Sequence, residues 1–255
     1  MRVGVRVNDP HVLPRVEAHL PPTWQPSVSP HVECLYSLLV GGSGSRPHVR
    51  RFNLLYGNAS RLARSLDLDA VFETLESHLQ LYIAEAARRR VFVHAGAVGW
   101  RGRAIIVPGR SHSGKSTLVA AMVRAGAEYY SDEYAVLDGR GRVHPYPKPL
   151  SLRDSAGGKA TRCRVEALGG HAGVKPLPVG LVMVSQYKSG TAWRPRRLSP
   201  GYGVLSLLEN TVSARRQPTT ALATLQRVAA GATMIKGGRG EADEVAPLLL
   251  RYLEH

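Results

Sequence analysis

Between Asp67 and Arg90 the apolar residues Leu68, Val71, Phe72, Leu75, Leu79, Tyr82, Ile83 and Ala86 recur at intervals of three and four. That spacing predicts an amphipathic helix with one buried face. Asp67 or Asp69 can cap its start, and Arg88, Arg89 and Arg90 complement the dipole at its end. The pattern then changes to short apolar runs. VFVHAGAV (91–98) and AIIVP (104–108), separated by a turn at Gly99–Gly102, predict the two strands of a hairpin. A helix is expected from about Gly114 to Arg124, then strands at EYYS (128–131) and YAVLD (134–138), a GRGR turn, and a strand-like VHPYP (143–147). LPVGLVMVSQY (177–187) reads as a buried strand with TAWRPRRL (191–198) as its partner, and helical segments at about 201–213, 218–230 and 241–254 complete the chain. The Gly-rich stretch from Ser155 to Lys175 carries no readable pattern. Residues 1–66, with strand-like pieces at Arg2–Val7, Val32–Leu39 and Val49–Tyr56 among prolines and glycines, form a small β-rich N-terminal section. The expected architecture is therefore mixed α/β over residues 67–255, preceded by that section, with no internal repeat.

Composition narrows the function class. A chain of 255 residues, 44% hydrophobic and 21% charged, supports a core of ordinary size and excludes disordered and collagen-like classes. No apolar run approaches the roughly 18 residues of a membrane span, and MRVGVRVNDP lacks the apolar stretch of a signal peptide, so a soluble cytoplasmic protein without membrane partners is expected. Cys34 and Cys163 lie far apart with no CxxC spacing, which speaks against a disulfide framework or zinc ribbon and for free thiols. The formal charge of +15 points to an anionic partner: nucleic acid, an acidic peptide or a phosphorylated ligand. The basic clusters at 88–90, 194–197 and 215–216 have no interleaved aromatics, which disfavours nucleic acid.

One segment carries explicit chemistry. In IIVPGRSHSGKSTLVAAMVRAG, Gly109, Gly114, Lys115 and Ser116 satisfy GxxxxGK[ST], the P-loop pattern, with an apolar strand entering and an amphipathic helix leaving. The spacing suits phosphate because glycines let successive backbone N–H groups turn inward while the helix N-terminus adds its positive end. The expected nucleotide-binding stretch is Gly109, Ser111, His112, Ser113, Gly114, Lys115, Ser116 and Thr117, with His112 at a variable position. Lys115 would reach the β- and γ-phosphates, Ser116 would hold Mg²⁺, and Thr117 would contact the α-phosphate. Asp132 follows seventeen residues after Lys115, where the next strand could deliver a carboxylate; Glu133 is adjacent and Asp138 ends the following apolar run. The apolar strand GLVMVSQYK ends in Ser185 and Gln186, not in an acid.

These features together resemble the C-terminal catalytic domain of HPr kinase/phosphorylase, a bacterial P-loop serine kinase whose fold is shared with ATP-dependent phosphoenolpyruvate carboxykinase. The marks are His94 in HAGAV, fifteen residues before Gly109; the P-loop; and a helix ending in RAG (124–126) followed by a strand closing on SDE (131–133). The resemblance covers residues 91 to about 138 and is better to HPr-kinase-like proteins, including kinases of ribosomally made peptides. The chain has Thr117 where the family usually has glutamate after GKS. The resemblance implies a P-loop mixed sheet with flanking helices over 67–255, ATP and Mg²⁺ as cofactors, Asp132 as general base, Glu133 helping to hold the metal or water, and His94 near both. Arg153, Lys148, Arg196 and Arg197 are the available cations for the transferring phosphoryl group, Arg153 foremost. The expected activity is ATP-dependent phosphorylation of a hydroxyl, serine first, of a peptide or protein. A small metabolite as acceptor, a nucleotide-binding regulatory module and a carboxykinase-like enzyme are the alternatives. The family's ring-shaped kinase makes a homo-oligomer plausible.

Overall fold

The structure, a computed structural model, describes residues 1–22, 24–42, 51–110, 113–152 and 161–254. The chain divides into two compact units, Met1–Ala86 and Ala87–His255.

The first unit holds a four-stranded sheet in the order β1 (Val3–Val7), β2 (Cys34–Leu39), β3 (Asn53–Gly57), β4 (Ser60–Ser65). β1 runs parallel to β2 and the other pairs are antiparallel. Alternation along the strands puts Tyr36, Leu38 and Leu55 into a core completed by Val71, Phe72, Leu75 and Leu79 of helix α2 (Leu68–Ala86), with Val16 of the short α1 (Leu13–Ala18). The expected boundary at 66/67 is thus displaced. The apolar stripe of α2 is buried on the N-terminal sheet, so the helix belongs to the first unit and the division falls after it. Cys34 is buried and Cys163 half-buried, both free.

The second unit is a mixed α/β layer structure. Its strands are β5 (Val91–Trp100), β6 (Arg103–Pro108), β7 (Glu128–Ser131), β8 (Tyr134–Leu137), β9 (Arg142–His144), β12 (Leu177–Tyr187), β13 (Arg196–Arg197) and β14 (Thr233–Arg239); β10 (Leu150–Leu152) and β11 (Thr161–Cys163) pair separately. The large sheet runs β13-β14-β12-β6-β5-β8-β9, with β7 also on β5. The first residues of β12 pair with β9, so β12, β6, β5, β8 and β9 close a ring. β6, β12 and β14 are mutually parallel, and their carboxyl ends define one rim. Period-two alternation splits the sheet's faces: Ile105, Val107, Leu181 and Met183 pack with α3 (Lys115–Arg124) and α6 (Ala242–Arg251), while Ala104, Ile106 and Val182 pack with α4 (Pro200–Leu208) and α5 (Pro218–Gly231).

The hairpin β5–β6 forms as expected, but its strands extend to Trp100 and Arg103. The turn shrinks to Arg101 and Gly102, both at positive φ. Residues 191–198 do not pair with β12; only Arg196–Arg197 are strand, and they pair with β14, which the sequence reading did not anticipate. The reason is that β14, two glycines notwithstanding, takes the edge of β12 that the expected partner would have used. Among the described residues no helix is long and apolar enough to cross a membrane.

Candidate functional site

The GxxxxGKS segment leaves the carboxyl end of β6 and enters α3. Gly109 N–H donates to the His94 carbonyl at 3.2 Å, tying the start of the loop to β5. Gly114 is the residue before the helix, at φ +81°, a left-handed conformation that a Cβ opposes. Lys115, the first helical residue, is only 7% exposed, and its Nζ donates to the Arg110 carbonyl at 2.7 Å. Ser113 and Ser116 are half-buried and Thr117 is exposed, while Ser111 and His112 lie outside the described residues. The helix can sit this close to the sheet because position 96 of β5 is glycine: a Cβ there would come within 2.6 Å of Val119 and 3.9 Å of the Lys115 Cβ. The HAGAV segment therefore has a packing reason for its central residue.

The acidic pair follows β7. Ser131 Oγ accepts from the N–H groups of Glu133 (3.1 Å) and Tyr134 (3.0 Å), turning the chain sharply so that Asp132 and Glu133 occupy the corner between β7 and β8. Asp132 is buried and held from both sides. The Tyr129 hydroxyl lies 3.0 Å from its Oδ1, and the Ser151 N–H donates to Oδ2 at 3.1 Å. The same tyrosine hydroxyl is 2.8 Å from the Lys148 carbonyl, so its one proton is shared between two acceptors. Glu133 pairs with Lys148 Nζ at 3.5 Å, and its carbonyl accepts from the Ala95 N–H at 3.0 Å, next to His94 on β5. His94 N–H in turn donates to the Asn210 carbonyl at 2.7 Å.

The electrostatics tie these groups into one site. Burial lowers Lys115 to a pKa of about 8, opposed by the charges of Asp132 and Glu133, which lie close enough to act on it. Burial and the Lys115 charge lower His94 to about 4, opposed by a hydrogen bond at the Gly109 backbone and the Asp132 charge; His94 is therefore neutral at pH 7. Burial, then the Asp132 charge, raises the Tyr129 phenol far above its ordinary value, so it acts at neutral pH as a fixed O–H donor. The structure thus brings His94, the loop, Lys115, Asp132 and Glu133 together. Lys148 joins them through Glu133, Arg196 and Arg197 are exposed on the edge strand β13, and Arg153 lies outside the described residues.

No group of three or more His, Cys, Asp and Glu side chains gathers as a metal cage among the described residues. Magnesium asks for less, since it binds through one or two carboxylates, substrate phosphates and water. The all-oxygen set Ser116, Asp132 and Glu133 fits that chemistry.

Asp138 has a different task. It accepts from the N–H groups of Arg140 (2.9 Å) and Arg142 (3.0 Å), from Arg142 Nε (2.9 Å) and from His144 Nε2 (3.0 Å), closing the β8–β9 turn. Burial alone would raise its pKa, but these hydrogen bonds, that of His144 foremost, outweigh it and hold the carboxyl well below the usual carboxylate range. A depressed carboxylate pKa stabilises the fold above the unfolded value and stops doing so as pH falls through the folded one. Asp138→Asn is accordingly expected to cost roughly 2 kcal/mol at pH 7. In urea melts the difference from the native chain should narrow as pH is lowered below about 4.

Sequence reasoning missed Arg239. It ends β14, is 2% exposed, and sends Nη2 to the Gly114 carbonyl at 2.8 Å and Nη1 to the Gly240 carbonyl at 3.1 Å. The only hint in the sequence is a charged residue closing KGGRG, and nothing local says that it reaches back to the loop. In comparisons with known proteins, no family model matches the chain and no curated protein is significantly similar to it.

Proposed function

We propose that this chain is an ATP- and magnesium-dependent phosphotransferase of the HPr-kinase-like P-loop type, moving the γ-phosphoryl group of ATP to a serine hydroxyl of a peptide or protein. The observation that carries this reading is the buried Lys115 at the start of α3, beside a GxxxxGKS loop, with the buried Asp132 carboxylate near enough to act on its charge. A mixed sheet with flanking helices and a loop at the carboxyl end of a parallel strand is compatible with the fold of that kinase and of phosphoenolpyruvate carboxykinase.

In this mechanism the loop N–H groups and the N-terminus of α3 bind the phosphates, and Lys115 neutralises charge that grows on the β- and γ-oxygens. Ser116, Asp132 and Glu133 would hold a magnesium ion, which would supply positive charge to neutralise the phosphates. Asp132 takes the proton from the acceptor hydroxyl as its oxygen bonds to the γ-phosphorus and the bond to the β–γ bridging oxygen breaks, releasing ADP. Tyr129 and the Ser151 N–H, one on each oxygen, fix the orientation of the carboxylate. His94, uncharged at neutral pH, borders the reacting groups without competing with Lys115 for the phosphates.

The test is incubation of the purified chain with γ-labelled ATP and Mg²⁺, with serine-containing peptides and cell extract, and Lys115→Ala as control. Label should pass to a discrete acceptor with the native chain only. ATP binding without transfer to any acceptor would favour a nucleotide-regulated binding module.

A further inference from the structure

Arg239 is among the largest fully buried side chains of the molecule, yet no carboxylate forms an ion pair with it among the described residues. Its two outer nitrogens meet main-chain carbonyls and its Nε, also buried, has no hydrogen-bond partner among the described residues. Glu241, whose charge acts on Arg239 without an ion pair, accepts from the Tyr187 hydroxyl at 2.9 Å, and the Tyr187 ring lies 5.4 Å from the guanidinium carbon. A guanidinium withdrawn from water without a counter-ion is costly, and such a cost is tolerated where a ligand supplies the missing charge or where the group holds a functional element in place. Here the element is specific. The Gly114 carbonyl that Arg239 grips belongs to the left-handed residue from which the N-terminus of α3 starts, and a Cβ at Gly114 would collide with Arg239 Nη2.

We infer that Arg239 is a positioning residue of the phosphate site: it clamps the Gly114 turn through its carbonyl, and the polyphosphate bound on that turn is the anion that balances the buried guanidinium. This rests on the reading of the loop as a phosphate site. It deepens it by making β14, on the far side of β12 from β6, a part of that site through the reach of Arg239 to Gly114. The two glycines before Arg239 fit the arrangement. A Cβ at Gly237 would press on the Pro195 backbone at 3.1 Å and one at Gly238 on Thr191 at 3.2 Å, so the strand's end is packed tightly against the segment that leads into β13.

Titration calorimetry with ATP and with inorganic tripolyphosphate, together with thermal melting of the ligand-free chain, separates the outcomes. The Arg239→Met chain is expected to lose at least tenfold in affinity for both ligands while its ligand-free melting temperature stays level or rises, because a buried charge without an ion-pair partner has gone. Arg239→Lys, which keeps the charge but not the fork, should recover part of the affinity, and it serves as the readout if the methionine variant does not fold. A residue with a merely structural role would do the reverse, lowering the melting temperature and leaving the affinity of the folded chain unchanged, and that result overturns the inference. Lys115→Ala is run beside them. If it binds tripolyphosphate as well as the native chain does, or if neither binds, the phosphate-site reading itself fails; if it loses binding while both Arg239 variants keep it, only the role of Arg239 fails.

Discussion

Asp132→Asn is expected to lower phosphoryl transfer by roughly 10²–10⁴-fold, the range a positioned general base contributes, and ATP binding far less, because the loop, Lys115, Ser116 and Glu133 remain to hold the nucleotide and its metal. The substitution is nearly isosteric, and the environment favours its retention in place. One oxygen still accepts from the Ser151 N–H or the Tyr129 hydroxyl, and the corner set by Ser131 is untouched. What disappears is the negative charge and the capacity to accept a proton. Single-turnover assays with labelled ATP and an acceptor, beside equilibrium binding of ATP, separate the two effects. Equal loss of binding and transfer would show that Asp132 serves the nucleotide and not the acceptor.

Lys115→Met is expected to work in opposite directions on stability and function. Burial has pushed the lysine to a pKa of about 8 from 10.5, so below pH 8 the folded chain carries a charged amine that water would solvate better. Methionine removes that cost and fills similar volume, at the loss of the hydrogen bond to the Arg110 carbonyl. The ligand-free variant should be more stable by roughly 2 kcal/mol at pH 7, with the gain shrinking between pH 8 and about 10.5 as the native lysine sheds its proton on folding. ATP affinity should fall by about 10²-fold or more, because a charge-assisted contact to phosphate is lost in a water-poor site. Denaturant melts across that pH range and calorimetry provide both readings; a variant less stable than the native chain at pH 7 would show that the Arg110 contact outweighs the burial of charge.

Much of the site is legible in the sequence because its signals are local. The loop glycines, the lysine and the serine occur within one contiguous stretch, and the strands on either side announce themselves by short apolar runs bounded by glycine. The hairpin of β5 and β6, α3, β7 and β8 all form where the periodicity puts them. What escapes is set by contacts distant in the chain. The stripe on α2 shows that one face is buried but not which sheet buries it, and it settles on the N-terminal one. The polar and glycine-rich MIKGGR has too few alternating apolar positions to read as a strand, although pairing with β12 makes it one. Tyr129 looks like a core aromatic until its hydroxyl is seen beside Asp132, and Ser151 contributes only a backbone N–H, a group that no side-chain motif can signal. Asp138 shows the converse: an acid at the end of an apolar run, in the position a metal ligand could occupy, is spent on closing a turn.

The ring of strands also dictates an order of events during synthesis. β6, which delivers the loop, gains β5 at once as its hairpin partner, but its other neighbour is β12, and Ala104 has to wait for Val179 before that side is paired. β9 is likewise held open until the same strand arrives, and β14 joins only when Thr233 onward has been made. Such distant pairings put a large loop-closure entropy before the transition state, so the second unit folds slowly and late, after nearly its whole sequence has left the ribosome. On the reading proposed above, a nascent chain carrying the complete GxxxxGKS loop would still lack the strands that frame it, and a nucleotide would be a ligand of the finished molecule.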